Sequence, residues 1–377
     1  MTQPLVSKER IAQALALVQD PEIHRPITEL NMVDAIEVHP GNRIAVRVLL
    51  TVAACPMRTT IDRDVRAAVL DVPGVAEVTV EFGVMSDEQR AALRTRLRGG
   101  APDDVVPFAQ PHSRTRVYCV ASGKGGVGKS TVTVNLAAAM AERGLAVGVL
   151  DADIHGHSIP GMLGVTGAPT QIDRMIVPPT ARGVRVISIG MFLDSDKPVV
   201  WRGPMLHRAL RQFLSQVFWG DLDVLLVDLP PGTGDIAISL AQLLPTAELL
   251  IVTTPQPTAA RIAERAGAVA AETGQRVTGV VENMSWYEDP AGGRHALFGA
   301  GGGRAVSDRL AALLGAACPL LGQIPFHPEV GAAGDRGAPI VLAEPDSVAA
   351  GVLREVAQRL AVRPRGLAGR PLAVAVR

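Results

Sequence analysis

Four glycines, two lysines, a serine and a threonine fall within the nine residues 123–131 of this sequence. With one valine, they are Gly123, Lys124, Gly125, Gly126, Val127, Gly128, Lys129, Ser130 and Thr131. Glycines let a backbone turn so that successive N–H groups face phosphate oxygens. In a G-x-x-x-x-G-K-[ST] loop the lysine pairs with the β- and γ-phosphates and the hydroxyl holds Mg²⁺. The chemistry indicated is the binding of a nucleotide through its phosphates, with Lys129 and Ser130 as principal contacts.

The stretch also stands in the sequence context that this chemistry needs. An apolar run over 116–121 predicts a strand before it, and the pattern of 132–142 predicts a helix after it. The N-terminus of such a helix adds the positive end of its dipole to a phosphate site. A flexible glycine-rich loop without a ligand is the alternative. Only four residues of the chain are lysines, and two of them lie in this window, which favours phosphate binding.

Composition and charge exclude several broad classes of function. The chain has 377 residues, 47% hydrophobic and 20% charged, which is enough for two or three domains with apolar cores. Since 37 Lys+Arg balance 37 Asp+Glu, no nucleic-acid partner and no acidic membrane surface is expected. No signal-peptide pattern is found, and no apolar run reaches the ~18 residues of a membrane span. Three separated cysteines indicate no disulfide framework, so a cytoplasmic location is expected.

Changes of pattern along the chain divide it into four segments. Residues 1–98 combine helical and strand patterns and predict a small α+β domain. Residues 99–114 are rich in Gly, Pro, Asp and Ser and predict a linker. Residues 115–362 alternate apolar runs with helical stretches and form the main domain. Residues 363–377, rich in Pro, Gly and Arg, predict a disordered tail.

The alternation within 115–362 predicts the fold class. The apolar runs lie at 117–121, 145–150, 184–189, 222–227, 249–252 and 277–281. Runs without in-and-out alternation are typical of strands buried on both faces. The prediction is therefore an α/β fold, a parallel sheet with helices on both faces, preceded by the small α+β domain. Ligands of such folds bind at the C-terminal ends of the strands.

Two aspartates and a glycine follow predicted strands at that edge. Asp153 comes after the second strand, while Asp228 and Gly232 follow another. Phosphoryl transfer needs a carboxylate for the metal and a group that orients the attacking water. Asp228, with Ser130, is the candidate for Mg²⁺, Asp153 is the candidate for orienting water, and the Gly232 region can supply N–H groups to the γ-phosphate. Ordinary loop chemistry is the alternative for either aspartate alone, but both together favour catalysis.

Several further segments make the sequence similar to a known family. Residues 123–131 resemble the deviant Walker A loop of the MinD/ParA-like P-loop ATPases. One branch of these ATPases is the Mrp/ApbC-type iron–sulfur cluster carriers. This chain resembles that branch in the segments 149–160, 200–205, 228–235, 281–285 and 321–325. Residues 1–98, with Thr51 and Cys55, resemble the small domain often fused ahead of the ATPase in bacterial members. The resemblance covers the chain apart from the linker and the tail.

This resemblance implies roles that the residues alone do not indicate. Lys124 resembles the signature lysine that reaches across a homodimer to the partner's phosphates, a cation placed where transition-state charge gathers. Asn283 and the backbone near Pro325 resemble the adenine-contacting positions, so ATP and Mg²⁺ are expected. The expected activity is ATP hydrolysis. Its implied catalytic residues are Lys124, Lys129, Asp153 and Asp228. The implied partners are a second copy of the chain and apo iron–sulfur client or assembly proteins.

One part of the family pattern is missing. Members that carry a cluster typically have a Cys-x-x-Cys pair shortly after the Asn-Met-Ser element, and two such pairs give the four thiolates of a shared [4Fe–4S] cluster. Here residues 286–293 contain no cysteine. Cys119, inside a predicted strand, is expected in the core. Cys55 and Cys318 are left as candidate cluster ligands, with a buried core thiol as the alternative for each.

Three functions follow from these observations. The first is an ATP-hydrolysing homodimeric factor that assembles iron–sulfur clusters or transfers them to apoproteins. The second is an ATP-dependent scaffold that docks other proteins through residues 1–98 and binds no cluster. The third, a positioning ATPase of the ParA or MinD kind, is disfavoured by the neutral charge and by the Pro and Gly residues of the tail. A nitrogenase-type reductase is disfavoured by the missing cysteine pair.

Overall fold

The structure is a computed structural model that describes residues 6–52, 57–100, 104–154, 156–192, 203–232, 234–256, 258, 265 and 269–361. Its residue contacts separate two compact units. The first contains Met1–Asp103 together with Thr170–Val177, and the second contains Asp104–Pro169 and Pro178–Arg377. Within the described residues, no helix combines the length and the hydropathy needed to cross a membrane.

Most of the first unit is a three-stranded sheet with three helices. The elements are α1 (Lys8–Leu15), β1 (Val33–His39), β2 (Arg43–Leu50), α2 (Arg58–Leu70), β3 (Glu77–Val84) and α3 (Asp87–Leu97). Strand β2 lies in the middle, antiparallel to β1 and parallel to β3. Helix α3 begins with a capping box, in which Ser86 and Gln89 each accept the other's backbone N–H. Buried residues at helical spacing on α2 (Ile61, Val65 and Val69) contribute to the core.

The second unit is an α/β domain that begins after a short 3-10 turn at Pro107–Ala109. In chain order, the elements up to β11 are β4 (Arg116–Ser122), α4 (Lys129–Glu142), β5 (Val147–Asp151), α5 (Ile159–Leu163), β6 (Thr170–Ile172), β7 (Met175–Val177), β8 (Thr180–Ala181), β9 (Val184–Ser188), α6 (Gly203–Gln216), β10 (Val224–Asp228), α7 (Asp235–Leu243) and β11 (Glu248–Thr253). The β6–β7 hairpin interrupts this unit in the sequence and belongs to the first unit. A second 3-10 turn follows β9 at Ile189–Phe192.

The remaining elements complete the second unit. They are β12 (Val277–Glu282), β13 (Tyr287–Glu288), β14 (Arg294–His295), α8 (Gly302–Leu314), β15 (Leu320–Gln323), α9 (Pro328–Asp335), α10 (Ile340–Ala343) and α11 (Val348–Leu360). Residues 269–273 are helical, at the end of the helix that the sequence predicts over 258–272. Most of that predicted helix lies outside the described residues.

The central sheet confirms the predicted fold class. Its strand order is β15-β12-β11-β4-β10-β5-β9-β8, and every pairing is parallel except that of β8 with β9. The chain passes from β4 to β5 beyond β10, and later crosses from β10 to β11 on the other side of β4. The C-terminal end of β4 is therefore a switch point of the sheet, where ligands of open α/β folds bind.

Helix α4, which follows that switch point, is enclosed by the rest of the unit. All side chains from Val132 to Met140 are buried, as expected for a helix without a polar face. The Asn135 side chain accepts the Val341 N–H at 3.1 Å. In β4, the Tyr118 hydroxyl donates to the Leu360 carbonyl at 2.9 Å. These bonds tie α4 and β4 to the C-terminal helices, so the loop between them is held at both ends.

A feature that the sequence pattern did not indicate is the β6–β7 hairpin, which packs as part of the first unit. Its turn residue Asp173 pairs with Arg90 at 3.2 Å and Arg94 at 3.8 Å, both on α3. The Thr170 hydroxyl donates to the Glu22 carboxylate at 2.5 Å. The first unit is therefore built from two separate stretches of chain rather than from residues 1–98 alone.

Part of the segment predicted as a linker, 99–114, has regular structure. In the 3-10 turn Pro107–Ala109, Phe108 is buried and contacts Trp219 edge-to-face, with ring centroids 6.3 Å apart. The Trp219 indole N–H donates to the Phe213 carbonyl at 2.9 Å. Residues 107–109 therefore pack as part of the second unit.

Candidate functional site

The glycine-rich loop leaves β4 at Ser122 and enters α4 at Lys129. Gly126 and Gly128 adopt φ values of 77° and 80°, in the left-handed region that only glycine adopts without strain. Gly128 is the residue before the first turn of α4. A Cβ atom at Gly128 would overlap the side-chain amide nitrogen of Asn283. The loop therefore requires glycine at Gly128 for both backbone conformation and space.

The Lys129 ammonium lies at the centre of the site, with only 6% of the residue exposed. Its nitrogen donates to the Asp228 carboxylate at 2.5 Å and lies 3.7 Å from that of Asp153. These are three of the four residues for which the sequence predicts catalytic roles, and the structure brings them together. A buried cation between two carboxylates at a helix N-terminus can exchange these partners for an anionic ligand.

The Asp228 carboxylate also accepts two hydroxyl groups from the first turns of α4. Ser130 donates to one oxygen at 2.6 Å, and Thr133 donates to the other at 2.7 Å. Thr133 was not singled out in the sequence, although it follows Lys129 by four positions and so lies on the same helix face. A hydroxyl and a carboxylate are hard oxygen ligands of the kind that Mg²⁺ prefers. The donor set of Ser130 and Asp228 therefore fits the predicted metal site.

Asp151 is a further carboxylate of this site, for which the sequence predicted no role. It ends β5 directly opposite Asp228 on β10 and is fully buried. Burial, with a smaller contribution from the charge of Asp228, raises the pKa of Asp151 to about 7. The Ser188 hydroxyl and the Asp153 N–H donate to its two oxygens. Asp151 thus anchors the turn that presents Asp153.

Asp153 itself is held by a local turn. One of its carboxylate oxygens accepts the Gly156 N–H at 3.1 Å, and the other faces Lys129. The residue is 7% exposed, so it lies at the inner wall of the site.

Lys124, the second lysine of the loop, lies apart from this cluster. Its ammonium donates to the Gln256 side chain at 2.7 Å, beyond the end of β11. The lysine is half-buried, and its backbone carbonyl accepts the Ser122 hydroxyl at 3.1 Å. Within one chain, Lys124 is therefore turned away from the Lys129–Asp228 pair.

The predicted adenine-contacting residues adjoin the loop on the β12 side. The Asn283 side chain donates to the Val127 carbonyl at 2.9 Å, and its backbone N–H donates to Thr253. Pro325 follows Ile324, whose N–H donates to the Glu282 carbonyl at 2.8 Å. Asn283 and Pro325 thus lie on neighbouring segments at the ends of β12 and β15.

Gly232 lies beside the glycine-rich loop, but its backbone N–H is already paired. It donates to the Ser122 carbonyl at 2.8 Å. In this conformation that N–H braces the start of the loop rather than facing a phosphate, so the role predicted for Gly232 requires the bond to open.

The two described cysteines are both buried and lie outside this cluster. Cys119 is in the middle of β4, and Cys318 precedes β15. Burial raises the pKa of Cys119 to about 12 and that of Cys318 to about 11. Among the residues that the structure describes, no group of three His, Cys, Asp or Glu side chains could hold a metal ion. The third candidate, Cys55, lies outside the described residues.

Comparison with known proteins shows the family to which this chain belongs. Residues 113–361 match the family model described as NUBPL iron-transfer P-loop NTPase, and residues 8–81 match one described as iron-sulfur cluster assembly protein. The iron-sulfur cluster carrier protein of Mycobacterium bovis is 61% identical over 362 residues, 96% of this chain and 95% of that protein. This chain belongs to the iron–sulfur cluster carrier family.

Other members of the carrier family and a solved structure agree with this assignment. The carrier protein of Deinococcus radiodurans is 45% identical over 356 residues, 94% of each chain. A nucleotide-binding protein from Archaeoglobus fulgidus, solved in complex with ADP, is 38% identical with a TM-score of 0.50, covering 59% of this chain and 86% of its own. The family resemblance inferred from the motifs is confirmed.

The segment in which the carrier family pattern places a Cys-x-x-Cys pair forms the β13–β14 hairpin. His295 lies 2.6 Å from the Asp289 carboxylate, and this hydrogen bond lowers the pKa of Asp289. The Arg294 guanidinium stacks on the Trp286 ring at 4.7 Å. Imidazole, carboxylate and guanidinium groups hold the hairpin together, and it offers no thiolate.

The burial of Cys119 and Cys318 predicts how these thiols react in a carrier of this kind. Alkylation requires the thiolate, whose fraction at pH 8 is ~10⁻⁴ for Cys119 and ~10⁻³ for Cys318 at their raised pKa values. Both should resist iodoacetamide in the folded protein and react after unfolding in urea. Peptide mass spectrometry at pH 8 measures this, and rapid native labelling of either residue would contradict the burial described here.

Proposed function

We propose that this chain binds ATP with Mg²⁺ at the loop 123–131, hydrolyses it, and uses the cycle to assemble iron–sulfur clusters or transfer them to apoproteins. The observation that carries the proposal is the buried Lys129 ammonium between Asp228 and Asp153, directly after the glycine-rich loop. The Lys129 ammonium pairs with these two carboxylates. Phosphate oxygens can replace them, because the N-terminus of α4 and the loop N–H groups favour the same anion.

The reaction assigns a task to each residue of the site. A water oxygen attacks the γ-phosphorus of ATP, the bond to the bridging oxygen breaks, and ADP and phosphate leave. When bound, Mg²⁺ neutralises charge on the β- and γ-phosphates; Ser130 and Asp228 would hold it. Lys129 stabilises the same oxygens, and Asp153 orients the attacking water. Thr133 and Asp151 keep Asp228 and Asp153 in place.

Two further contacts are proposed, one with the adenine base and one across a homodimer. Asn283 and the backbone at Pro325 contact the adenine. Lys124 acts on the phosphates bound to a second copy of the chain, as in the family that it resembles. Such a reach requires Lys124 to leave Gln256, its partner within the single chain. Clients of the homodimer are apo iron–sulfur or assembly proteins, and a cytoplasmic location stays a prediction of the sequence.

In the proposed cycle the cluster is cargo that the protein passes on. Cys119 and Cys318 are poor ligands because each is buried with a raised pKa, and thiolates are the form that binds iron. We therefore assign cluster contact to Cys55. The same burial favours a second candidate function, an ATP-driven scaffold that docks partner proteins and binds no cluster.

Anaerobic reconstitution with iron and sulfide separates these two functions. Wild type, Cys55→Ala and the matched control Cys318→Ala are compared for bound iron, bound sulfide and the visible absorption band per dimer. The carrier function predicts a stoichiometric cluster in wild type and in Cys318→Ala, with loss in Cys55→Ala. Absence of a cluster from all three, with ATP hydrolysis intact, would leave the scaffold.

A further inference from the structure

Glu282, the last residue of β12, is a buried carboxylate that the reaction above does not use. It is 1% exposed, and it accepts hydrogen bonds from three different segments. Ser285 and Gln323 donate to one oxygen at 2.8 Å and 2.7 Å, and the Gly303 N–H donates to the other at 2.5 Å. The side chain therefore joins the 283–286 loop, the end of β15 and the start of α8.

The charge of this carboxylate is stabilised where it lies. Gly303 is in the first turn of α8, where the positive end of the helix dipole favours an anion. The site is also tightly packed, since a Cβ at Gly303 would lie 2.7 Å from the Glu282 Cβ, and one at Gly302 would lie 2.5 Å from the Pro255 carbonyl oxygen. The start of α8 is thus occupied by Glu282 and closed to an external ligand.

The segments that Glu282 joins are those on either side of the proposed adenine site. Backbone bonds pair Ser285 N–H with the Ile324 carbonyl at 2.9 Å, and Ile324 N–H with the Glu282 carbonyl at 2.8 Å. The next residues along the two segments are Asn283 and Pro325. Asn283 in turn contacts the Val127 carbonyl of the glycine-rich loop. Glu282 thus fixes the distance between the two segments and their position relative to the loop.

We propose that Glu282 is the positioning residue for recognition of the nucleotide base. The inference rests on the proposed ATP site and deepens it. A site selects one purine over another when its polar groups are held so that the wrong base leaves them unpaired. If the 283–286 and 323–325 segments move independently, this selection weakens. The phosphate chemistry at Lys129 and Asp228 lies on α4 and β10 and is retained.

Base selectivity is the measurement that would not change if Glu282 had only a structural role. We expect Glu282→Ala to lower the ratio of kcat/KM for ATP to that for GTP by ~10-fold or more, because the buried Ser285 hydroxyl and Gly303 N–H and the exposed Gln323 amide lose this acceptor. The change should appear in KM for ATP, with kcat altered less than ~3-fold. Glu282→Gln should keep the wild-type ratio, because rotation of the Gln323 amide presents its oxygen to the new amide group.

The matched control is Gln275→Ala, two residues before the start of β12. Gln275 is buried, and its amide donates to the Leu244 and Ala247 carbonyls at 3.4 Å. It should lower the thermal midpoint without changing the ATP to GTP ratio. The inference is overturned if Glu282→Ala behaves like this control, losing stability at unchanged base selectivity.

Two further variants keep the test decisive if Glu282→Ala does not fold. Ser285→Ala and Gln323→Met each remove one donor and leave the carboxylate with two. Each should reduce the ATP to GTP ratio by ~3-fold or more, and an unchanged ratio in both would overturn the inference. Failure of the proposed function is distinguishable, since wild type would then neither hydrolyse ATP nor discriminate between ATP and GTP.

Discussion

Replacing Lys129 with methionine is expected to slow ATP hydrolysis by at least ~10²-fold, because a cation placed at the developing charge of the γ-phosphate is lost. The same change should destabilise the second unit. Asp228 is fully buried and would keep the hydroxyls of Ser130 and Thr133 but lose its ammonium partner. Removing one partner of a buried ion pair costs about 3–5 kcal/mol of unfolding free energy, since an uncompensated charge stays behind.

The double variant Lys129→Met with Asp228→Asn separates the two effects. It removes the uncompensated carboxylate, and the new amide oxygen still accepts a hydroxyl hydrogen. More than half of the lost stability should therefore return, while hydrolysis stays absent. Urea unfolding followed by tryptophan fluorescence is suited to this comparison, because Trp219 and Trp286 belong to the second unit and the sequence of the first unit contains no tryptophan.

Two outcomes would contradict this account of the buried pair. If Lys129→Met unfolds at the wild-type urea concentration, the ammonium does not balance Asp228 in the folded chain. If the double variant is no more stable than Lys129→Met, the cost lies in packing around the lysine stem rather than in charge. Retention of hydrolysis in either variant would remove Lys129 from the reaction.

The fold could be predicted because its signals are local. Each continuous apolar run of the main domain corresponds to a strand of the central sheet, and the helix predicted over 132–142 is present as Lys129–Glu142. Residues at the ends of parallel strands meet at one edge. This rule alone predicts that Lys129, Asp153 and Asp228 lie close together.

The residues that support the site were harder to find because their roles depend on distant neighbours. Asp151 gains its raised pKa from burial and from Asp228 on the adjacent strand. The positioning role proposed for Glu282 depends on hydrogen bonds from Gln323 and Gly303, which lie 41 and 21 residues further along the chain. Thr133 is the exception, since its spacing from Lys129 on a helix places both on one face.

The β6–β7 hairpin shows the same limit at the level of domains. Its strands have three residues each, too few for a period-two pattern to be distinguished from a loop. Its place in the first unit depends on the pairs of Asp173 with Arg90 and Arg94 and of Thr170 with Glu22. Such pairings are tertiary contacts, and no local sequence pattern predicts them.

Replacing Gly128 with alanine is expected to abolish nucleotide binding and to destabilise the second unit more than a methyl group added at Gly125 or Gly126. At φ 80° an alanine pays the left-handed penalty of about 1–2 kcal/mol. Its Cβ would also overlap the Asn283 amide, so Asn283 must leave Val127. The loop and the proposed base site would be displaced together.

The loop supplies its own graded controls for stability. A Cβ at Gly126 meets nothing within 4 Å, although φ is 77°, so Gly126→Ala should show the backbone penalty alone. A Cβ at Gly125 would only touch the Pro231 ring at 4.0 Å. Gly125→Ala should therefore unfold at or slightly above the wild-type urea concentration, because alanine restricts the unfolded chain.

Combining Gly128→Ala with Asn283→Ala distinguishes the two costs at Gly128. The second change opens the space that the new methyl group needs but leaves the backbone penalty. The double variant should therefore recover stability to the level of Gly126→Ala, while ATP binding, measured by calorimetry, stays weak because Asn283 is gone. A Gly128→Ala protein that binds ATP as wild type does would mean that the loop rearranges freely. In that case neither the left-handed Gly128 nor its contact with Asn283 would define the site.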